Sequence, residues 1–259
     1  MADGSMTEKK IINDVSNITE QCFERWHRSL YGYQHTIRNN LHQRTRHILK
    51  SRISGLSHYF LGEALEQAIL TGENQFFITS LDNTDSFECY LYSIAKEFLG
   101  IEITGNPVIL SNGAEIHILS DFNIKTSLSG NTYFDEHFFS YEFEKVDKYI
   151  SEITCLKKFR KTYFSSLSFD THPAFQFWTG ELWRNSSTTR NTVEFPTFEE
   201  FRDGGSLCPD RQWRYVITIE DAVSGGCDLI DIDELRKVYS ETDFNKLFMC
   251  TFDTQNKGS

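Results

Sequence analysis

Apolar residues recur along this chain in two alternating patterns: short unbroken blocks that suit strands buried on both faces, and longer stretches at helical spacing. Residues 45–49 read as a strand, residues 58–70 carry apolar positions at helical spacing, and Gly72 supplies a stop. Residues 75–80 predict a second strand and residues 86–99 a helix closed by Gly100. The apolar runs 108–110 and 115–119 flank Ser111-Asn112-Gly113-Ala114, and Asn-Gly between such runs is a strong hairpin signal. Residues 132–136 predict a buried strand ending on two acids, residues 140–153 a helix, and residues 161–165 a strand ending in hydroxyls. Upstream, residues 1–17 are polar and expected to form a disordered leader, and residues 18–30 read as a helix.

Beyond residue 170 the pattern loosens. Trp178, Trp183 and Trp213 are interleaved with polar turns, residues 185–189 are expected as an exposed loop, residues 216–219 as a strand, and residues 232–239 and 242–249 as short helices. Strands alternating with helices imply an α/β fold with a mostly parallel sheet flanked by helices, plus a hairpin insertion and a looser C-terminal subregion. In such folds ligands bind at the carboxyl ends of the strands.

Composition narrows the class. The 259 residues can bury a substantial core, 39% hydrophobic and 24% charged is ordinary globular usage, and 22 Phe with 11 Tyr point to aromatic packing. No apolar stretch approaches the roughly 20 residues of a membrane span, and the chain start lacks the basic-then-apolar pattern of a secretory signal, so a soluble intracellular protein is expected. Six cysteines without a Cys-x-x-Cys pair argue for reduced structural thiols, and the scattered histidines show no ligand spacing. A net charge of −11 is unfavourable for strong nucleic-acid binding, although Arg38, Arg44, Arg46, Lys50 and Arg52 form one basic stretch and Lys157, Lys158, Arg160 and Lys161 another.

The chemistry concentrates at the expected strand ends. A phosphate-binding loop is normally Gly, four residues, then Gly-Lys-Ser/Thr. The octet Lys50-Ser51-Arg52-Ile53-Ser54-Gly55-Leu56-Ser57 keeps that frame with the lysine moved to the loop's entrance, where a long side chain can still point into the cavity the loop encloses. Read alone, the octet is equally a Ser/Gly turn. The acid pair Asp135-Glu136 shifts the balance, because one carboxylate can hold magnesium and the next can polarise an attacking water.

With these residues in place, the chain resembles the ATPase half of the large terminase subunit, the DNA-packaging motor of tailed temperate myophages. The likeness runs over residues 31–252 and includes Tyr33-Gln34, Lys50-Ser51-Arg52, the segments 72–80, 107–114, 130–136, 160–166 and 177–182, Gln212-Trp213-Arg214, and Gly225-Gly226-Cys227-Asp228-Leu229. The resemblance implies a P-loop NTPase of the ASCE type over residues 18–259, with a nucleotide-binding core over 18–170 and a C-terminal part of the same domain over 171–259. ATP and Mg2+ are the implied cofactors. Gln34 would read the adenine edge, Lys50 would serve as the displaced loop lysine, and Ser51, Arg52, Ser54, Gly55, Leu56 and Ser57 would complete the nucleotide contacts. Ser57 and Asp135 would hold the metal, Glu136 would be the catalytic carboxylate with Lys50 and Arg52 beside it, and Ser165-Ser166 would couple hydrolysis to movement.

The resemblance further implies a homo-oligomeric ring acting on double-stranded DNA with the small terminase subunit and the portal, in the cytoplasm of the bacterial host and with no membrane. Two departures stand out. Ile53-Ser54 and the bulky Leu56 replace the more usual loop residues, and the chain stops about where a nuclease domain would begin, so no DNA cleavage is expected. A truncated or domesticated relative that binds nucleotide or partner proteins without turnover is the alternative, and a helicase-like ATPase acting outside packaging is a third.

Overall fold

The computed structural model describes residues 10–80, 84–124 and 126–252. Along them run β1 (Ile12–Asn13), α1 (Glu24–Arg28), α2 (Gly32–Asn39), β2 (Thr45–Lys50), α3 (Leu56–Thr71), β3 (Gln75–Thr79), α4 (Thr84–Ile94), β4 (Val108–Leu110), β5 (Glu115–Ser120), β6 (Asn131–Asp135), α5 (Phe143–Ile153) and β7 (Lys161–Ser165). The C-terminal part adds α6 (Pro173–Trp178), α7 (Glu181–Asn185), α8 (Phe198–Arg202), β8 (Ser206–Leu207), β9 (Trp213–Ile217), α9 (Ile219–Ser224), α10 (Ile232–Val238) and α11 (Glu241–Leu247).

One sheet joins these strands in the order β1-β4-β5-β3-β6-β7-β2-β9-β8. Every pairing is parallel except the β4–β5 hairpin and the β8–β9 edge. Because β7 lies between β2 and β6, the carboxyl ends carrying Lys50, Ser165 and Asp135 stand side by side, with Leu49 paired to Ser165 and Asp135 to Phe164.

Strand side chains alternate between faces. On one face Ile48, Phe77, Tyr133 and Phe164 pack with α3 and α4; on the other Leu49, Phe76, Ile78, Phe134 and Tyr163 pack with α5 and α6. The same period of two assigns Lys50 and Asp135 to the α3 face, following Ile48 and Tyr133. The α3 helix is buried on nearly every side, which explains why it carries no polar stripe. Its mid-helix Gly62 admits the Trp26 ring, whose atoms lie 2.6–2.8 Å from where a Cβ would stand. Its charges are paired in the interior: Glu63 binds Arg46 and Tyr59, and Glu66 binds Arg38 and His27.

Several expectations are corrected. Residues 10–17 are not wholly frayed, because Ile12 and Asn13 pair with Ile109 and Leu110 and Val15 is buried; residues 1–9 of the expected leader lie outside the described residues. The expected 18–30 helix is a 3-10 turn, Glu20–Phe23, running into the short α1, and α2 follows unforeseen. The expected 140–153 helix begins only at Phe143, after a separate 3-10 turn over His137–Phe139. The strand expected at 216–219 is β9, which starts at Trp213 and ends at Ile217, where Thr218 caps α9 through its hydroxyl to the Asp221 N–H. The expected loop at 185–189 contains the end of α7 and the start of a turn, Thr188–Arg190. No helix among the described residues is long and apolar enough to cross a membrane, and no group of three or more potential metal-ligating His, Cys, Asp or Glu gathers there.

The second face holds a buried histidine pair. His47 on β2 and His137 after β6 share one Nε2–Nε2 hydrogen bond of 2.8 Å, and neither Nδ1 atom finds a partner among the described residues. Burial holds both rings neutral, His47 well below its ordinary pKa and His137 down to about 3. Between about 6.5 and about 3 the unfolded state binds protons that the folded state refuses, so stability is lost as pH falls through that window. His137 alone is expected to cost about 2 kcal/mol at pH 5 relative to pH 7.5. Urea unfolding across pH 5–7.5 checks this: the wild type should lose stability below pH ~6.5, and His137→Gln should flatten that part of the profile.

Candidate active site

The chain leaves β2 at Lys50 and forms a loop before α3. Two contacts hold its first part: the Ser51 N–H donates to Ile217 O at 2.7 Å and the Arg52 N–H to Leu247 O at 3.0 Å. Ile53 and Gly55 take positive φ of 63° and 66°. Gly55 adopts this at no steric cost, whereas the β-branched Ile53 is strained there, by about 1–3 kcal/mol. The Tyr33 hydroxyl donates to Ser54 O at 2.7 Å and ties the loop to α2.

On β6 the next position after Asp135 should face the opposite side of the sheet. Glu136 instead turns into the left-handed region, φ 52° and ψ 41°, held by its N–H to Phe164 O and by the 3-10 turn that follows. That turn brings two adjacent carboxylates into one chamber. The Lys50 ammonium donates to Glu136 Oε1 at 2.5 Å. Glu136 Oε2 accepts from Ser165 Oγ at 3.0 Å and from the Ser166 N–H and Oγ, each at 2.9 Å. Ser57, the second residue of α3, donates its hydroxyl to Asp135 Oδ2 at 2.7 Å. Lys50, Ile53, Ser54, Gly55, Leu56, Ser57, Asp135 and Glu136 line this cavity of about 350 Å³ together with His58, Phe87 and Tyr90.

The electrostatics follow from two acids and one cation sharing a buried space. Burial opposes the charge on Lys50, but Glu136 and Asp135 outweigh it and raise its pKa. Burial likewise opposes the charge on Glu136, and Lys50 with the Ser166 donors overcomes it, holding the carboxyl below its usual range. Asp135 takes the remaining strain: burial and then the Glu136 charge push it up to about 7, against Lys50 and Ser57. Its Oδ1 is buried and has no partner among the described residues. An oxygen pair from a carboxylate and a hydroxyl, with one carboxylate oxygen unbonded, suits a hard divalent cation, so Asp135 and Ser57 could hold magnesium.

A second cavity of about 420 Å³ adjoins the first and shares Gly55, His58 and Tyr90 with it. Trp26, Leu30, Tyr31, Gln34 and Leu229 contribute to its walls. Gln34 is buried there, its Oε1 accepting from the Tyr31 N–H at 3.0 Å.

Of the residues expected from sequence, Lys50, Ser54, Gly55, Leu56, Ser57, Asp135 and Glu136 meet in one chamber, Gln34 faces the adjoining one, and Ser165 and Ser166 reach the first through Glu136. The Leu56 side chain is buried in the core, so its bulk lies away from the chamber floor. Ser51 and Arg52 do not line either cavity: the Ser51 hydroxyl donates to Arg52 O, and the Arg52 guanidinium lies over the Phe139 ring at 5.8 Å. Sequence reading missed Tyr90 and His58, which are ordinary helix residues until the fold sets them around both cavities, and gave Leu229, quoted at the end of a motif, no role. Tyr33 stood in the quoted motifs without a role, and only the hydrogen bond to Ser54 supplies one.

Comparison with known proteins gives a consistent assignment. The family described as terminase large subunit, T4likevirus-type, N-terminal matches residues 47–259. The probable terminase ATPase subunit of Haemophilus phage HP1 is 45% identical over 251 residues, covering 96% of this chain and 41% of that protein. The terminase ATPase subunit of Escherichia phage P2 is 40% identical over 227 residues, covering 86% and 38%. The chain thus spans about two fifths of the length of these curated relatives. Among solved structures, the large terminase ATPase domain of Thermus phage P74-26 aligns with a TM-score of 0.65 at 11% identity, over 90% of this chain and 98% of that one. The large terminase of another thermophilic bacteriophage, in complex with ATP-γ-S, aligns at 0.59 and 9% identity, over 86% and 52%. These two likenesses concern the fold, while the family match and the two phage relatives fix the kinship: the chain belongs to the terminase large subunit family and corresponds to its N-terminal region.

Proposed function

We propose that this chain binds ATP with magnesium, hydrolyses it, and acts as the motor domain that drives double-stranded DNA into a capsid. The observation that carries the reading is the chamber in which Lys50, Ser57, Asp135 and Glu136 converge at the carboxyl ends of β2 and β6. Phosphoryl transfer to water needs positioning and charge stabilisation more than covalent help. The Lys50 ammonium would meet the terminal phosphate, and the backbone N–H groups entering α3 would face the phosphate chain. Ser57 and Asp135 would hold magnesium, which when bound supplies neutralising charge to phosphate oxygens.

Lys50 cannot serve the terminal phosphate fully while donating to Glu136. Its transfer to phosphate frees Glu136 Oε1, while Ser165 and Ser166 keep Oε2 fixed, so the carboxylate stays aimed as a base. Water then attacks the terminal phosphorus, the bond to the bridging oxygen breaks, and the water's proton passes to Glu136. Through the same contact Ser165-Ser166 would report the state of Glu136 to the rest of the domain. Arg52, placed over Phe139 at the loop's outer side, would act on the terminal phosphate only after swinging inward.

The reading extends to the assembly by kinship. Both curated relatives are named terminase ATPase subunits, and a structural neighbour was solved with ATP-γ-S. We assign the chain to a homo-oligomeric ring acting on double-stranded DNA with the small terminase subunit and portal in the host cytoplasm. Turnover is favoured over the binding-only alternative because the altered loop residue Leu56 points its side chain into the core.

Steady-state ATP hydrolysis by the wild type, Lys50→Ala and Glu136→Ala tests the assignment. Both variants should fall by roughly 10²–10³, with Glu136→Gln still binding ATP-γ-S. Equal rates in the wild type and both alanine variants would overturn it.

A further inference from the structure

The two basic stretches of the sequence are used differently by the fold. In the first, Arg38, Arg46 and Lys50 are paired with Glu66, Glu63 and Glu136, and Arg52 lies over Phe139. Arg44 is left exposed, bonded only to the Thr154 carbonyl at 3.1 Å. The second stretch, Lys157, Lys158, Arg160 and Lys161, lies on the turn from α5 into β7, and its one ion pair among the described residues joins Lys158 to Glu73 at 3.2 Å. Arg160 donates to the Gln67 side chain at 2.9 Å and Lys161 to the Ser151 hydroxyl at 2.7 Å, both neutral acceptors. Lys157 is exposed and has no polar partner among the described residues. Sheet topology gathers these groups at the amino-terminal edge of three parallel neighbours, β7, β2 and β9. Lys161 opens β7, and its N–H donates to the carbonyl of Arg44, the residue before β2, at 2.8 Å. One strand further, Trp213 opens β9 opposite Arg46, and Arg211 is exposed on the β8–β9 turn that precedes it. Burial and then the Arg44 charge lower the Lys161 pKa, against the pull of Asp147. The other acids nearby are engaged or sparse: Asp210 pairs with Arg214, Asp147 accepts from the Tyr163 hydroxyl, and Glu152 is exposed near the end of α5.

We infer that this edge, presenting Arg44, Lys157, Lys158, Arg160, Lys161 and Arg211, holds the phosphate backbone of double-stranded DNA. DNA as the partner rests on the function proposed above; the surface is a second site at the opposite end of the sheet. In a chain of net charge −11, cations collected without counter-charges call for an anion from outside. Strands lie about 4.8 Å apart, so basic groups at three neighbouring strand ends form a band that suits a line of phosphates better than one compact anion. Contacts of this kind position a duplex and carry no base information. A protein partner would need an apolar centre within the charged rim, but Leu156 is the one large apolar residue exposed in segment 154–161. A single strand would be gripped by stacking on open aromatic rings, whereas Phe159, the one ring of that segment, is buried with the Lys158 ammonium over it at 4.7 Å. The edge stands one strand length, about 16 Å, from the Lys50–Glu136 chamber, so a duplex there leaves the chamber's mouth open.

Fluorescence anisotropy of a labelled duplex of about 30 base pairs, titrated with the full chain at about 50 and about 150 mM salt, gives the test. Lys157→Glu with Arg211→Glu reverses two exposed charges that have no polar partner among the described residues, so the double variant should keep the wild-type circular dichroism. It should bind about tenfold or more weakly at the lower salt, and the slope of log affinity against log salt should fall by about 2. Lys145→Glu with Lys237→Glu lowers the net charge equally, early in α5 and on α10, and should bind within about threefold of the wild type. Equal affinity of the wild type and the edge variant, or an equal loss in the control pair, would overturn the placement while leaving DNA as the partner. Competition by a single strand or by polyglutamate as strong as that of the duplex at equal charge would overturn the choice of a duplex, the second result pointing to an acidic protein. A wild-type chain that binds no duplex at about 50 mM salt would sink the DNA partner itself. That failure is distinct from loss of the ATPase reading, which the hydrolysis rates of Lys50→Ala and Glu136→Ala decide.

Discussion

A lysine and a glutamate withdrawn from water together must each find compensation, and the 2.5 Å contact between Lys50 and Glu136 organises the carboxyl end of the sheet around that need. The parallel order of β6, β7 and β2 sets the two residues near one another, with β7 between them. Strand alternation alone would send Glu136 to the wrong face, and its left-handed backbone corrects this. Ser165 and Ser166, at the end of the intervening strand, satisfy the carboxylate's second oxygen. Asp135 is left with the least favourable environment, pushed up to about 7, with one oxygen unbonded among the described residues.

The same loop separates two chambers with different chemistry. The chamber at Lys50 gathers the ionised groups Lys50, Asp135 and Glu136 beside Ile53, Leu56, Phe87 and Tyr90; the walls of the other are largely aromatic and aliphatic, with the Gln34 amide near the shared Gly55. The loop is held from behind by the C-terminal part of the chain, through Ile217 and Leu247, and Phe252 packs on Phe138 and Phe175. The region after residue 170 is thus part of the candidate site's support, although none of its strands or helices resembles a nucleotide motif.

Much of the fold was legible in sequence because its central strands are apolar on both faces and its main helices have clear ends. Residues 45–50, 75–79, 131–135 and 161–165 form strands close to where the apolar blocks lie. Legibility failed where charge is hidden or elements are short. Arg214 disguises β9, since its guanidinium is buried against Asp210 and the carbonyls of Phe177 and Trp178. α6, α7 and α8 have five or six residues each, too few to display a helical period. For the site, motif spacing marked Lys50, Ser57, Asp135 and Glu136. It could not reveal the turn at Glu136, the removal of Leu56 into the core, or the second chamber, all of which depend on backbone direction and on residues distant in sequence.

The most direct test of this account is a crystal structure of the chain with magnesium and ATP-γ-S. The account predicts that the Lys50 ammonium leaves its 2.5 Å contact with Glu136 and sits about 3 Å from a terminal phosphate oxygen, with Glu136 still bonded to Ser166. A terminal phosphate bound elsewhere, with the Lys50–Glu136 contact intact, would contradict it.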